Sequence, residues 1–223
     1  MQNKSKGLFF VIDGTDGSGK KTQTELLVKR LEQEGYPVLS VSFPRYGTPS
    51  AKSVELYLAG EMGNDPNKID PYAVSRYYAD DRLAHSPEIQ NALNNGIIVI
   101  SDRYVTANMG HQGSKFTNDP DRDAYLQWLY KLEYEENKIP VPDVNFILHV
   151  PTVISQNLVS KRGQKKDIHE NNHEHLLRAE QTYLKLPELF EKMVLIECCQ
   201  DGKLMTTEQI HKILWERIAP LLN

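Results

Sequence analysis

The sequence predicts an α/β fold in which helices cover both faces of a parallel β-sheet. Five short segments are apolar and rich in β-forming residues, and stretches with helical spacing separate them. Strands that are apolar on both faces are typical of parallel sheets buried between two helical layers. The predicted strands cover residues 8–12, 38–43, 97–100, 144–150 and 193–198. A chain of 223 residues without internal repeats is long enough for one such domain over 1–223.

The predicted helices follow from apolar spacing and from residues that cap helix ends. Leu26, Leu27 and Leu31 recur at helical spacing in the first helix. Asp70 and Asp119 each precede a proline, a pairing typical of a helix start. The first three predicted helices cover residues 24–32, 50–58 and 70–85, and the third resumes after Pro87. A fourth helix follows Asp119, and a fifth runs from Pro151 into 161–166. A sixth ends near Leu186, and the last begins at Thr206.

The bulk composition excludes several classes of protein. The net charge is −4 and the isoelectric point is about 6.0, so no overall field attracts nucleic acid or an anionic membrane. Only about five consecutive apolar residues precede Asp13, too few for a signal sequence or a spanning helix. We therefore expect a cytoplasmic protein. Cys198 and Cys199 are adjacent and indicate neither a disulfide framework nor a metal site.

Residues 14–22 read GTDGSGKKT and stand between the first predicted strand and the first predicted helix. The spacing from Gly14 to Gly19 and Lys20 is that of a phosphate-binding loop. Its glycines let backbone N–H groups surround phosphate oxygens, and the helix N-terminus adds a partial positive charge. Lys20 is then expected to bind the β- and γ-phosphates of a nucleoside triphosphate.

Lys21 departs from the usual form of this loop. The residue after the motif lysine is normally Ser or Thr, whose hydroxyl binds Mg²⁺. The hydroxyl of Thr22 comes one residue later, and a helix turns by about 100° per residue, so it points in another direction. We therefore expect carboxylates to hold the Mg²⁺ ion.

Polar residues follow two further strands at their carboxyl ends, where ligands bind in open α/β sheets. Residues 43–47, FPRYG, follow the second strand, and Asp102 and Arg103 follow the third. An arginine can clamp a phosphate, and the aspartate can orient it or hold hydrated Mg²⁺. Both segments also have a purely structural interpretation. Residues 43–47 could be an aromatic turn that only packs against the core, and Asp102 and Arg103 could form a structural ion pair.

The densest positive segment contains Lys161, Arg162, Lys165 and Lys166. It is interpreted either as a lid, about residues 161–170, that closes over a transferring phosphate or as a solvated loop. Beyond it, His169-Glu170-x-x-His173 matches a zinc-peptidase motif, which gives a remote alternative function. Asp167 and Glu170 also fit a helix capping box. The polar flanks and the lack of an evident third ligand argue against zinc.

Together these motifs resemble the thymidylate kinase family of P-loop nucleoside monophosphate kinases. The resemblance spans nearly the whole chain and includes Tyr78–Arg82, Asp102–Val105 and His111–Gly113. It implies the P-loop NTPase fold, with three α/β/α layers, a five-stranded parallel sheet and a short basic lid. It also implies transfer of the γ-phosphoryl group of ATP to dTMP, giving dTDP for dTTP biosynthesis, by a homodimer that requires Mg²⁺.

The resemblance also implies roles for individual residues. The catalytic residues would be Lys20, Asp16, Arg103, Arg162 and Lys166. The donor nucleotide would contact Gly14, Thr15, Asp16, Gly17, Ser18, Gly19, Lys20, Lys21 and Thr22. The Mg²⁺ candidates are Asp16, Asp13 and Glu170, in that order.

The monophosphate site is implied in the same way. Arg45 and Arg103 would bind the phosphate, Tyr78 would stack on thymine, and Arg82 would donate to a base carbonyl oxygen. The residues implied at this site are Phe43, Pro44, Arg45, Tyr78, Arg82, Asp102, Arg103, Asn108, His111 and Gln112. His111 stands where the family commonly has a tyrosine under the deoxyribose. Two alternatives of related fold remain: a kinase of another pyrimidine (deoxy)nucleotide or deoxynucleoside, and a slowly hydrolysing nucleotide switch.

Overall fold

The computed structural model describes residues 6–160, 168–169 and 172–222, with the side chains of 157–160 excepted. Within these ranges the five predicted strands form one parallel sheet of order β2-β3-β1-β4-β5. The α/β prediction is therefore confirmed. The strands are β1 (Phe9–Gly14), β2 (Val38–Ser42), β3 (Ile98–Asp102), β4 (Val144–His149) and β5 (Met193–Glu197). The chain order reverses at the central β1, which places a ligand crevice at its carboxyl end.

Helices cover both faces of the sheet. Those that bear on the site are α1 (Lys20–Gln33), α2 (Lys52–Leu58), α3 (Pro71–Asn94), α4 (Val105–Gly113), α5 (Asp119–Tyr130), α6 (Thr152–Ser160), α7 (His173–Leu189) and α8 (Thr207–Ile218). A π-helical segment, Lys131–Glu136, follows α5, and short 3₁₀ segments cover Pro66–Lys68 and Ala219–Leu221.

The alternation of side chains along β1 divides the core into two halves. Phe9 and Val11 pack on one face of the sheet with residues of α3, α4, α5 and α7. Phe10 and Ile12 pack on the opposite face with Leu27 of α1 and with residues of α8. All four β1 side chains are fully buried, as expected for a central strand between two helical layers.

Several local features differ from the prediction. The helix α3 continues through Pro87 without a break, because the Ser86 hydroxyl donates to the Leu83 carbonyl at 2.9 Å and so replaces the lost backbone donor. The helix α4 was not predicted at all. A small antiparallel hairpin, β6 (Cys199–Gln200) and β7 (Lys203–Leu204), was also missed.

Two further findings concern properties other than the fold. Both cysteines are free thiols, and Cys198 is buried. Among the described residues, no helix is both long enough and apolar enough to cross a membrane.

Candidate active site

The phosphate loop joins β1 to α1 through backbone conformations that glycine adopts readily. Gly17 and Gly19 have φ angles of 84° and 88°, in the left-handed region. Gly19 is the N-cap of α1, and no described side chain caps the first turn of this helix. The N–H groups of that turn and the helix dipole therefore remain available for an anion such as phosphate.

Lys20 lies inside the loop and is 6% exposed. Its Nζ donates to the carbonyl oxygens of Gly14 at 3.0 Å and Thr15 at 2.8 Å. Burial, followed by the neighbouring positive charge of Arg103, lowers the pKa of Lys20 to about 8. A phosphate that enters the loop would supply negative charge next to this poorly solvated ammonium group.

The two aspartates near the loop lie in different surroundings. The Oδ1 atom of Asp13 accepts hydrogen bonds from the Gly14 N–H at 2.8 Å and the Tyr183 hydroxyl at 3.1 Å. Burial raises the pKa of Asp13. Its hydrogen bonds with Gly14 and Tyr183 connect the start of the loop to α7. Asp16 instead lines the cavity described below. Although burial opposes it, the charges of Arg103 and Lys20 hold the pKa of Asp16 well below its usual range.

Arg103 follows β3 directly and has a φ angle of 66°. This left-handed conformation is costly for a residue other than glycine and is characteristic of functional sites. Its Nη2 lies 2.5 Å from Asp16 Oδ1, and 30% of its side chain is exposed. The strained backbone thus turns the guanidinium group toward the phosphate loop.

A cavity of about 470 Å³ brings most of the predicted site residues together. They are Asp16, Gly17, Gly19, Lys20, Lys21, Thr22, Phe43, Pro44, Tyr78, Arg82, Asp102, Arg103, Asn108, His111 and Gln112. The remaining walls are Ser42, Tyr46, Leu58, Tyr104, Ala107 and His169. No sequence motif pointed to Leu58 or Ala107.

Arg45 does not line this cavity but a neighbouring one of about 570 Å³. The two cavities share Lys21, Ser42, Pro44, Tyr46 and Asp102. The guanidinium group of Arg45 lies 3.1 Å from a carboxylate oxygen of Glu88. Its backbone N–H donates to Asp81 Oδ2 at 2.8 Å, and the fully buried Asp81 thereby ties the turn to α3.

Arg82 is buried and forms an ion pair with Glu133, which the sequence analysis missed. Its Nε donates to Glu133 Oε1 at 3.0 Å, its Nη2 donates to the same oxygen, and its Nη1 donates to the Tyr104 carbonyl at 3.3 Å. Glu133 is fully buried in the π-helical segment. The pair fixes the guanidinium plane at the cavity wall, with N–H groups left over for a ligand.

The helix α4 presents three unsatisfied polar atoms among the described residues. Asn108 Oδ1, His111 Nε2 and Gln112 Oε1 are buried without a hydrogen-bond partner there. The spacing 108, 111 and 112 puts the three side chains on one face of the helix, and all three line the cavity. Buried polar atoms are normally paired, so this face has the character of a surface that recognises a polar ligand.

Three histidines converge beside this helix face. His169 Nδ1 lies 3.2 Å from His111 Nδ1 and 2.7 Å from His175 Nε2. Burial lowers the pKa of His111 to about 3, that of His175 to about 2, and that of His169 well below its usual range. The three rings are therefore neutral at physiological pH.

The zinc-peptidase geometry is wrong. His169 lies in a turn that precedes α7, and His173 is an exposed residue at the start of that helix, so the two do not share one helical face. The N-cap of α7 is Asn172, whose side chain accepts from the His175 N–H at 3.0 Å. Glu170, Asp167 and the lid cations Lys161, Arg162, Lys165 and Lys166 lie outside the described residues.

Comparisons with known proteins agree on one family. The family model described as thymidylate kinase matches residues 12–210. The chain is 32% identical over 221 residues to a probable thymidylate kinase of Thermococcus kodakarensis, covering 97% of this chain and 99% of the relative. It is 30% identical over 203 residues to a thymidylate kinase of an Exiguobacterium species, with 87% and 91% covered. A solved thymidylate kinase structure from Candida albicans has the same fold, with a TM-score of 0.75, 22% identity and coverage of 96% and 92%.

Proposed function

The chain belongs to the thymidylate kinase family, and from this membership we propose that it transfers the γ-phosphoryl group of ATP to dTMP, giving ADP and dTDP. One observation in the structure supports this reaction most directly. The unsatisfied polar face of α4 and the phosphate loop line the same cavity. A polar base and an anion can therefore be bound side by side, as a phosphorylated nucleotide acceptor and a triphosphate donor require.

Asn108 is suited to read the pyrimidine base. Its Nδ2 donates to the Ser75 carbonyl at 3.3 Å, which leaves Oδ1 as an acceptor for the N3–H group of thymine. Arg82 supplies N–H donors for a base carbonyl oxygen. Tyr78, half-buried at the cavity wall, offers a ring for stacking, and Phe43 and Pro44 offer an apolar surface for the 5-methyl group.

Lys20 and Arg103 are suited to hold the transferring phosphoryl group. Lys20 lies in the phosphate loop, where the donor would bind, and Arg103 shares the Asp16 carboxylate with it and would bind the acceptor phosphate. Both cations are anchored before any nucleotide binds, so little reorganisation is needed when charge develops in the transition state. Arg162 and Lys166 remain proposed lid cations from the sequence alone.

The described residues also fit a Mg²⁺ ion. Asp16 and Asp102 line the cavity beside Lys20, and Asp102 Oδ1 is buried without a partner among the described residues. Carboxylate oxygens are ligands that Mg²⁺ prefers, and the ion commonly keeps several waters. Asp16 and Asp102 would hold Mg²⁺, and the ion would neutralise charge on the donor phosphates. Asp13 is a weaker candidate because its Oδ1 already accepts two hydrogen bonds.

No strong general base is required by this reaction. The second pKa of a phosphate monoester is about 6, so dTMP arrives largely ionised at neutral pH. The oxygen that attacks therefore has no proton to lose. The protein contributes alignment and charge neutralisation, and these are the main sources of catalysis in phosphoryl transfer.

The test is ADP formation from ATP and Mg²⁺ with dTMP, dUMP, UMP, CMP and thymidine offered separately. We expect a strong preference for dTMP. Turnover with thymidine alone would instead indicate a nucleoside kinase. ADP release that is independent of any acceptor would indicate a hydrolase or switch and would contradict the proposed reaction.

A homodimer and a cytoplasmic location complete the proposal. Tyr72 and Leu83 on α3 are 37% and 40% exposed, and their spacing places them on one face of the helix. These two exposed apolar side chains, between which the charged Arg76 and Asp80 are also exposed, are our candidates for contact with a second copy. Sedimentation velocity of the full chain and of Leu83→Glu tests this, because a dimer through α3 should dissociate in the variant only.

A further inference from the structure

The cluster of His111, His169 and His175 is built like a transition-metal site, whereas the zinc-peptidase motif considered above pairs His169 with His173 instead. One ligand nitrogen from each ring lies within 4.8 Å of the other two, and all three residues are buried. They come from three different segments: α4, the turn before α7, and α7 itself. The side chains were therefore brought together by the tertiary fold and not by a local sequence repeat.

The hydrogen bonds around the rings determine which nitrogens carry protons. His175 Nδ1 lies 3.3 Å from Asn67 Oδ1 and 3.3 Å from Ser114 Oγ. The Ser114 hydroxyl already donates to the His111 carbonyl at 2.7 Å, so both neighbours of His175 Nδ1 act as acceptors. Nδ1 must then carry the proton of His175, and Nε2 presents its lone pair to the cluster.

His111 is oriented in the corresponding way. Its Nε2 has no hydrogen-bond partner among the described residues, but Asp16 Oδ2 lies 4.0 Å away, and this negative charge favours the proton on Nε2 and leaves the Nδ1 lone pair facing the cluster. The lone pairs of His111 Nδ1 and His175 Nε2 thus both point at His169 Nδ1. That atom can carry a single proton, which cannot fully satisfy two acceptors.

A metal ion removes this conflict. If the His169 proton moves to Nε2, three neutral nitrogens that lie within 4.8 Å of one another can offer lone pairs to a metal ion. Tetrahedral Zn²⁺ with Zn–N bonds of about 2.0–2.1 Å requires N–N separations of about 3.3 Å. The two separations that involve His169 are 3.2 Å and 2.7 Å, and the third is at most 4.8 Å, so small ring rotations would complete the site. The amide oxygen of Asn67 behind His175 is the kind of outer partner that metal-bound histidines usually have, and the Asp16 carboxylate lies 4.0 Å behind His111.

We propose that His111, His169 and His175 bind one Zn²⁺ ion or a similar borderline divalent transition metal, with water from the cavity in the fourth position. The site is distinct from the Mg²⁺ site, because imidazole nitrogens favour Zn²⁺ and oxygen ligands favour Mg²⁺. It does not depend on the proposed function, since the nucleotide takes no part in the ligand set.

The test uses the full chain without an affinity tag, stripped of metal with EDTA and dialysed. Co²⁺ is added as an optical probe, because tetrahedral Co²⁺ absorbs visibly, and Zn²⁺ binding is measured by competition with it. We expect one equivalent of metal per chain with affinity in the micromolar range or tighter. Zn²⁺ should also raise the melting temperature of the protein, since it binds the folded state.

Three variants locate the site. His175→Ala and His169→Ala should each weaken binding by more than about 100-fold, because loss of an outer partner alone costs about 10–100-fold. His173→Ala is the matched control, since His173 is exposed and lies outside the cluster, and it should bind like the wild type. Melting curves of the metal-free proteins show whether each variant folds. If His175→Ala does not fold, the metal affinity of His169→Ala alone tests the proposal.

Three outcomes would overturn the proposal. The first is a wild-type protein that binds no Zn²⁺ in the micromolar range. The second is a folded His169→Ala or His175→Ala variant that binds as tightly as the wild type. The third is equal loss of binding in His173→Ala, which would place the metal elsewhere.

Discussion

At the scale of single residues, Lys20 has the most sharply defined role. It is buried in the phosphate loop and donates to two loop carbonyls, so its charge is held in place before a ligand arrives. Lys20→Ala should lower kcat for dTMP phosphorylation by at least about 100-fold, which is the usual cost of removing one preorganised donor from a transition state.

Lys29→Ala is the matched control for that experiment. Lys29 lies on the same helix but is exposed, so this variant should keep nearly wild-type kcat. Circular dichroism of both variants should match that of the wild type. Near-normal activity in a folded Lys20→Ala variant would show that the loop does not bind the transferring phosphate.

Asn108 can be tested by its effect on one substrate alone. Asn108→Ala removes the free Oδ1 acceptor, and a neutral hydrogen bond contributes about 0.5–1.5 kcal/mol. The KM for dTMP should therefore rise by about 2- to 12-fold, while the KM for ATP stays unchanged. The exposed Asn91→Ala on α3 serves as the control. An equal rise in both KM values would show that Asn108 does not bind the base specifically.

At the scale of secondary-structure elements, the Arg82–Glu133 pair joins α3 to the π-helical segment. Both side chains are buried, so removal of one partner leaves an uncompensated charge. Glu133→Ala should lower the free energy of unfolding by about 3–5 kcal/mol in urea denaturation. Arg82→Ala alone is therefore a poor probe of base binding, because it carries the same structural cost.

The double variant Arg82→Met/Glu133→Leu separates stability from recognition. Replacing a buried ion pair with apolar side chains of similar volume is often neutral or stabilising. The double variant should recover most of the stability lost in Glu133→Ala and still show a raised KM for dTMP. Recovery of stability together with a wild-type KM would mean that Arg82 is structural only.

His149 connects β4, β5 and α7 through two carboxylates. Its Nε2 lies 3.0 Å from Glu180 Oε1 and its Nδ1 lies 2.7 Å from Glu197 Oε2. The hydrogen bond with Glu180 is the main reason that the pKa of His149 is raised above its ordinary value. Stability from a raised histidine pKa is fully present below the unfolded pKa and is lost as the pH rises through the folded one.

The free energy lost in His149→Gln should therefore be larger at about pH 5.5 than at about pH 9. Urea denaturation at both pH values measures it. His173→Gln, at an exposed position, should show little change at either pH. A loss that grows with pH would contradict the assignment of a charged histidine between the two carboxylates.

At the scale of the whole molecule, nucleotide binding should stabilise the fold by mass action. At a dTMP concentration of 100 times Kd the gain is about 2.7 kcal/mol, which for a protein of this size corresponds to a rise of about 5–10 °C in melting temperature. EDTA should abolish transfer but leave most of this rise, because the base contacts are made by protein side chains. Loss of the rise in EDTA would mean that dTMP binding itself requires Mg²⁺.

The sheet and the loop could be predicted because their signals are local. Five apolar strands and the spacing of Gly14, Gly19 and Lys20 are visible without knowledge of the tertiary structure. The helix α4 was missed because Gly110 and Gly113 resemble loop residues. Gly110 is needed for packing, since an added Cβ would lie 2.4 Å from an atom of the Tyr183 ring. The close approach of α4 and α7 therefore overrides local propensity.

The partners of the site residues could not be predicted for a related reason. Glu133 is 51 residues from Arg82, and His175 is 64 residues from His111, and neither belongs to a motif. The zinc-peptidase motif in the sequence paired His169 with His173, but His173 is exposed at the start of α7. Only the tertiary fold shows which charged and ring side chains meet.

The Asp16 carboxylate lies close to three side chains with different proposed roles. Its oxygens lie 2.5 Å from Arg103, 3.7 Å from Lys20 and 4.0 Å from His111. Substitutions at neighbouring positions that share a partner do not combine additively. The effect of changing any one of these residues will therefore depend on which residues occupy the other three positions. In evolutionary terms the four positions are epistatic, and related chains should differ at them in matched sets rather than one at a time.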